Sequence, residues 1–262
     1  MKNAFGERAS AVLTFLVQSI ITIPFLFMLG ISNQVFSIFN PTIFPKVLLV
    51  TFISSISMVL YLKSFKVKNI SISAIFISFS AIVSTSLGII FFSESTSYLK
   101  FIGIGLILVA IVVANYKNAI LEKNHFYGLA ASVIFGISYT LDKSIILDIH
   151  PLVYIFWAFT MVALWGLVLG GRSVINSIKG KKLNAYRPII ISGIGYFLFN
   201  FFTFTAYKFG GEVGRVDAIN NSQIFLIILF EFFVLKHTEG IIKKLISAGL
   251  AIGGIIILGT VK

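Results

Sequence analysis

The sequence predicts an all-α integral membrane protein of nine transmembrane helices in two inverted repeats, and three observations lead there. Of the 262 residues, 58% are hydrophobic and only 11% are charged, whereas a soluble globular chain carries about 25% charge. The apolar residues gather into nine runs of near-spanning length, at roughly 20 residues per crossing. The 21 lysines and arginines fall unequally on the alternate connections between those runs. This composition excludes a soluble enzyme, a disordered tail and a coiled coil. The absence of cysteine excludes disulfides and thiolate metal sites.

In chain order the runs are A (11–30), B (47–62), C (70–92), D (101–115), E (126–147), F (151–169), G (189–209), H (216–235) and I (245–260). All are too long for strands and lack the apolar–polar alternation of an outer-membrane barrel. Run A lacks a small-residue cleavage site, so it is read as a span and not as a signal peptide. Pro41, Pro45, Pro151 and Pro188 precede or open runs, where proline is tolerated. Gly170-Gly171 and Gly210-Gly211 stand at run ends. Runs B, D and I are the short ones.

Charge tests this division. One set of alternate connections holds Lys2, Arg8, Lys63, Lys66, Lys68, Lys117, Lys123, Arg172, Lys179, Lys181, Lys182, Arg187, Lys236, Lys243 and Lys244; the other holds only Lys46, Lys100, Lys143, Lys208, Arg215 and Lys262. By the positive-inside rule the first set is cytoplasmic. The chain is then a multi-pass protein of the cytoplasmic membrane, with its N-terminus inside and its C-terminus outside. The net charge of +12 is explained by this sidedness. No separate polar segment exists to hold a nucleic acid, so nucleic acid is not a partner.

The chain also repeats itself. Tyr61-Leu62-Lys63 at the end of B matches Tyr207-Lys208 at the end of G. Ala74 in C matches Ala218 in H, Glu94 after C matches Glu239 after H, and Leu106 in D matches Leu250 in I. Thus A, B, C and D correspond to F, G, H and I, and E has no counterpart. The repeats are 1–118, with four helices, and 119–262, with five. Corresponding helices lie five crossings apart and so run in opposite directions. Inverted repeats of this kind are typical of secondary transporters, whose site lies near the bilayer midplane between the repeats.

Two stretches carry a family resemblance. The first is Lys63-Ser-Phe-Lys-Val-Lys-Asn-Ile-Ser, run C, Phe91-Phe92-Ser93-Glu94, then Gly103 and Gly105-Leu106. The second is Ala206-Tyr207-Lys208, run H, Thr238-Glu239, Gly249-Leu250 and Gly253-Gly254. In order and spacing they resemble the two halves of the drug/metabolite transporter superfamily, EamA-type, over almost the whole chain. The resemblance implies ten helices in two halves of five, so the first helix of that plan has no counterpart here. It implies export or import of amino acids, nucleotides, sugars, drugs or other small metabolites, with cavity walls from the helices equivalent to B, C, E, G and H. It also implies a C-terminus inside, against the charge tally. The family's Leu-Gly-Glu reads Phe92-Ser93-Glu94 here, and the proline common in its fourth and ninth helices is absent from C and H.

Run G holds Ser192, Tyr196, Asn200, Thr203 and Tyr207 at spacings that share one helical face. A polar and aromatic stripe in a spanning helix faces protein or water. It is read as a wall for a small-molecule substrate, with interhelical hydrogen bonding as the alternative. Run H supplies Asp217, Asn220, Asn221, Gln223 and Glu231. Asn221 and Gln223 join the substrate set, as does Tyr139 in E; Gln18 in A is a weaker member. Glu231 is the candidate proton acceptor for coupling, against a salt bridge near the helix end. Asp142 and Lys143 read as interface charges, with a cavity ion pair as the alternative, and the many serines of B and C as packing residues. Glu94 and Glu239 read as structural acids that accept backbone N–H groups at helix starts. Gly249-x-x-x-Gly253 reads as a close helix contact within the chain or in a homodimer. Trp157 and Trp165 read as packing residues.

His125, His150 and His237 are isolated, so no metal site is expected. No nucleotide-binding or metalloprotease motif is present, and no cofactor is expected. The leading reading is a secondary transporter of a small metabolite. A structural or truncated repeat protein is the alternative, and a membrane-embedded enzyme stands behind both.

Overall fold

The structure is a computed structural model. It describes residues 5–67, 70–115, 122–221, 223, 226–227, 230, 233–234, 236 and 241–260, without the side chains of Ser71, Ile111, Ala114, Asn115 and Ile241. Its helices are α1 (Glu7–Met28), α2 (Phe44–Ser64), α3 (Ile70–Ile77), α4 (Ser80–Phe92), α5 (Tyr98–Asn115), α6 (Lys123–Ile146), α7 (Pro151–Gly170), α8 (Arg172–Ile178), α9 (Arg187–Lys208), α10 (Val213–Asn221) and α11 (Ile241–Thr260), with short 3-10 segments at Ser32–Phe39 and Leu183–Ala185. Among the described residues there is no strand. Among the described residues, seven spans are long and apolar enough to cross a membrane: Glu7–Met28, Phe44–Ser64, Ile72–Phe92, Lys123–Ile146, Pro151–Gly170, Leu183–Lys208 and Ile242–Thr260. Run D supplies the shorter apolar stretch Tyr98–Ala110. Run H begins in α10 and then passes largely outside the described residues.

The apolar runs B and I proved longer as helices than as runs of hydrophobic letters. Lys63 and Ser64 close α2, and Lys243 and Lys244 sit in the first turn of α11, since lysine is a good helix former and snorkels at a span end. Run C departs from expectation in the other direction. It is not one regular helix but two, α3 and α4, joined at Ser78-Phe79. Neither proline nor glycine causes this. Ser78 Oγ donates to Ile75 O at 2.6 Å, and the Phe79 N–H turns to Phe76 O. A serine that bonds back to its own helix competes with the regular ladder and bends it, and the i to i−3 bond is a local 3-10 tightening.

The chain divides into two compact units, each drawn from both halves of the sequence: 1–59 with 141–210, and 60–140 with 211–262. In the first unit, α1 packs against α7 and α9. Glycines make this approach possible. A Cβ added at Gly193 would overlap Val17, and one at Gly166 would stand 2.6 Å from Val12. Phe15 stacks on Phe159 with ring centroids 5.4 Å apart. Trp157 does more than pack: its Nε1 donates to Val35 O at 2.8 Å and its ring meets Phe39 edge-on, which ties the 32–39 segment to α7. At the start of α7, Pro151 occupies the first turn and His150 Nδ1 accepts the Leu152 N–H at 3.2 Å. His150 is held below its ordinary pKa, first by burial and then by the charge of Lys208, so it stays neutral and keeps that lone pair.

In the second unit, α10 packs against α4 and α11, and α11 against α5. Small residues face one another here: Ala81, Ala110, Ala218, Ala248 and Ala251 are all within 5% exposure. The closest approach is between Gly103 and Gly254, where a Cβ on Gly254 would stand 2.5 Å from the Gly103 carbonyl oxygen. This corrects the sequence reading of Gly249-x-x-x-Gly253 as the contact within the chain. Nothing lies within 4 Å of a Cβ at Gly249, and Gly253 meets only Leu106 at 3.9 Å. Gly254 lies five residues beyond Gly249, roughly 140° around the helix, and so faces α5 where Gly249 does not.

Candidate functional site

The polar side chains of the spanning helices collect into a buried cluster in each unit. In the second unit the centre is Asp217 of α10, 1% exposed. Its Oδ1 accepts Ser80 Oγ at 3.2 Å and Asn221 Nδ2 at 2.8 Å, and its Oδ2 accepts Ser84 Oγ at 2.9 Å. Asn221 Nδ2 also reaches Ser80 Oγ at 3.0 Å. Ser80 opens α4 directly after the break in run C, so the break places two serines of one helix against one carboxylate of another. Those two serines are therefore not mere packing residues. Gly214 lets α10 come this close, since a Cβ there would overlap Thr85.

Two acids lock one end of this helix pair, where α4 finishes and α10 begins. Glu94 accepts the Val213 N–H at 2.7 Å, which caps α10. The expectation of a structural acid holds in kind, but the helix it caps is α10 and not the α5 that follows it in sequence. Glu212 in turn accepts Ser95 Oγ at 3.0 Å and pairs with Lys100 Nζ at 3.0 Å. Burial acts to raise the Glu212 pKa, but hydrogen bonds from Lys100 and Ser95 and the lysine charge outweigh it and hold the carboxyl below its ordinary value. Glu239 and Glu231 lie outside the described residues.

In the first unit, Asn200 of α9 donates from Nδ2 to Gln18 Oε1 of α1 at 3.0 Å and to the Tyr196 carbonyl at 2.8 Å. Gln18 is fully buried. Thr203 and Tyr207 are also buried, Tyr196 is half-buried with its ring edge toward Phe199, and Ser192 is exposed. The buried face of α9 runs through Ile189, Gly193, Phe197, Asn200, Phe204 and Tyr207. The predicted stripe crosses it obliquely, so its first half leaves the buried face.

Asp142 accepts the phenol hydrogen of Tyr154, which is 1% exposed and packs edge-on against Phe204. The reading of Asp142 and Lys143 as interface charges is corrected, because both are buried, at 7% and 6% exposure. Tyr154 was missed in the sequence. Its signal was a lone phenol in an otherwise aliphatic and aromatic stretch of run F, facing an acid 12 residues earlier. The remaining substrate candidates fall in the second unit. Tyr139 is half-buried and stacked on Phe135, and Gln223 is exposed while Asn221 is buried. Among the described residues no group of three His, Cys, Asp or Glu side chains could hold a metal ion. What the two clusters offer is hydroxyl, amide, phenol and carboxyl groups in an apolar surround, which suits hydrogen bonding and proton exchange.

No curated protein matches the chain. A solved structure described only as the crystal structure of a protein matches with a TM-score of 0.64 at 14% identity, over 96% of this chain and 86% of its own. A sequence model of the EamA-like transporter family matches residues 123–260, from the first residue of α6 to the last of α11. That stretch covers more than half of the 262 residues, and the chain belongs to the EamA-like transporter family.

Proposed function

We propose that the protein is a secondary transporter that moves a small metabolite across the cytoplasmic membrane by alternating access. The observation that carries this reading is the family match through α6–α11. The substrate class is an amino acid, nucleoside or nucleotide, sugar or drug-like compound. The chain crosses nine times, as two inverted repeats at 1–118 and 119–262. Helices that correspond under the repeat pack on one another: α1 on α7, α4 on α10 and α5 on α11. Pairing of equivalent helices is what a local two-fold relation gives, and it supports the repeat. The pair A with F falls in one unit, and the pairs C with H and D with I in the other.

Tyr139, Tyr196, Asn200, Thr203, Tyr207, Asn221 and Gln223 are the side chains assigned to the substrate. Phenol, amide and hydroxyl groups in an apolar wall orient a small polar ligand without fixing a charge on it. The test has two stages. Purified protein is screened against metabolites by thermal shift, and hits are then followed as uptake into liposomes with and without a pH gradient. Failure of every candidate to move across the liposome membrane sinks the transporter reading. Sidedness is read separately, from a cysteine placed beside Lys181. The charge tally predicts that an impermeant thiol reagent leaves it unlabelled from outside the cell, and labelling would reverse the orientation.

A further inference from the structure

Asp217 is a buried carboxyl group in α10, in apolar run H, with only neutral partners. Among the described residues it forms no ion pair, and its three donors are two serine hydroxyls and an amide. The charged groups of every element packed around it are engaged elsewhere or distant along the helix. On α10, Arg215 pairs with Glu212 at 3.7 Å. On α5, Lys100 binds the same glutamate, and between α4 and α5 Glu94 accepts the Val213 N–H. Neither α3 nor α4 carries a charged residue. On α6, whose Gly136 abuts Val83 and the Ser80 carbonyl, Lys123 and His125 sit in the first turn and Lys143 in the last, while Asp142 accepts from Tyr154. On α11, Lys243 and Lys244 sit in the first turn, and it meets α10 through alanines and Ile255. A permanent unpaired charge in such a place is expensive, and intramembrane carboxyls persist where they do work.

The hydrogen-bond inventory shows what work this site permits. Ser84 has one hydrogen to donate and two acceptors within reach, Asp217 Oδ2 at 2.9 Å and Ala81 O at 3.2 Å. With Asp217 ionised, Ser84 donates to Oδ2. With Asp217 protonated, its O–H donates to Ser84 Oγ, and Ser84 turns its hydrogen to Ala81 O. Ser80 and Asn221 donate to Oδ1 in both states. Neither state requires a heavy atom to move. The two states differ in how strongly α4 is held on α10, because hydrogen bonds to a charged acceptor are about twice as strong as neutral ones. The serines that feel this difference stand directly after the Ser78-Phe79 break, where run C is already jointed.

We propose that Asp217 is a reversible proton-binding group whose two states are accommodated by rotation of the Ser84 hydroxyl, and that its occupancy sets the grip of α4 on α10. The proton comes from water and returns to water; no other bond forms or breaks. This rests on the transporter reading only for its consequence, which is that Asp217 couples proton movement to substrate movement. Proton binding itself is independent of that reading.

The test uses the full chain in detergent and protons as the ligand. Difference infrared spectra across a pH titration report the carbonyl stretch of a protonated carboxyl group. The expected result is a band that titrates in the wild-type protein and in Asp142→Asn, and is absent in Asp217→Asn. Asp217→Glu should retain a displaced band, and Ser84→Ala should move the midpoint by about one to two pH units, the worth of one hydrogen bond to a charged group. If Asp217→Asn does not fold, the Ser84→Ala and Asp217→Glu displacements carry the test. A titration unchanged in both, or a band that persists in folded Asp217→Asn, overturns the proposal. So does a response that disappears when choline replaces sodium, since that would make the site a cation site. In liposomes, Asp217→Asn should lose the stimulation of substrate movement by a pH gradient. Stimulation equal to wild type overturns the coupling role. Absence of transport by the wild-type protein, with the infrared band intact, counts against the transporter reading and leaves proton binding supported.

Discussion

Glu94, at the end of one helical run, accepts the backbone N–H of Val213 at 2.7 Å across 119 residues of sequence. An acid thus terminates one run and starts another, and it fixes where α10 begins relative to α4. Gly88 makes the room, because a Cβ there would collide with the Glu94 carboxylate. Replacing Glu94 with Ala should cost about 1 kcal/mol, the usual worth of such a cap. Glu94→Gln keeps an acceptor and should lose less. Gly88→Ala should resemble Glu94→Ala, because it displaces the same carboxylate. Thermal unfolding of the three variants in detergent checks the order. A Gly88→Ala protein as stable as wild type would remove Glu94 from this role.

The neighbouring pair, Lys100 and Glu212, predicts an acid-side loss of stability. Lys100 is 3% exposed and Glu212 20%. Removing the lysine as Lys100→Met should therefore cost less than the 3–5 kcal/mol typical of a fully buried pair, on the order of 1–2 kcal/mol. Glu212 is held below its ordinary value, so the folded state binds its proton later than the unfolded chain does. Its contribution is present above the free carboxylate value of about 4.3 and is lost as the pH falls through the lowered one. The difference in unfolding temperature between wild type and Lys100→Met should therefore shrink as the pH is brought down through that window. A constant difference would show that the pair is not the source.

His150 predicts a second window at milder acidity. Its Nδ1 can accept the Leu152 N–H only while the ring is neutral. Burial, and then Lys208, holds its pKa low. The stabilising contribution is present above about 6.5, the value in the unfolded chain, and is lost as the pH falls through the lowered folded value. His150→Asn supplies a capping acceptor at every pH. It should match wild type in weak alkali and exceed it in weak acid. Parallel unfolding curves across that range would count against the cap.

These relationships separate what the sequence could say from what it could not. Runs A, B, E, F, G and I became spanning helices because length and apolarity decide membrane crossing almost alone. The break in run C was invisible, because Ser78 bends the helix through its own hydroxyl and leaves no proline or glycine to read. Ser84 and Asp217 were each noticed, but 133 residues separate them, and nothing local says that one faces the other. Glu94 was read correctly as an acceptor of backbone N–H groups and assigned to the wrong helix for the same reason. Local chemistry was legible and the identity of distant partners was not.

The glycines of α11 give a direct comparison. The spacing rule pointed to Gly249 and Gly253, and the backbone approach is at Gly254 against Gly103. Gly254→Ala should force the helices apart and cost on the order of 1–3 kcal/mol, the range for overpacking a tight contact. Gly249→Ala should be neutral or slightly stabilising, since alanine is the better helix former by about 1 kcal/mol. Equal losses at both positions would mean that Gly249 also packs, against a second copy of the chain, and a change in oligomeric state by light scattering would accompany that result.

Asn200 and Gln18 allow the interhelical reading of run G to be set against the substrate-wall reading. Asn200 spends its amide hydrogens on Gln18 and on the Tyr196 carbonyl. Asn200→Leu leaves buried Gln18 without that donor, at a cost of about 1–3 kcal/mol for an unsatisfied polar group. Gln18→Leu should cost a similar amount. The double variant replaces the pair with apolar groups of similar size, so it should be more stable than the sum of the two losses, by a coupling of about 0.5–3 kcal/mol. The ligand-induced thermal shift then decides function. If Asn200 serves only to join α9 to α1, the double variant regains the shift along with its stability. If Asn200 contacts substrate, the double variant regains stability and still shows no shift, because leucine cannot replace the hydrogen bonds that an amide gives a polar ligand.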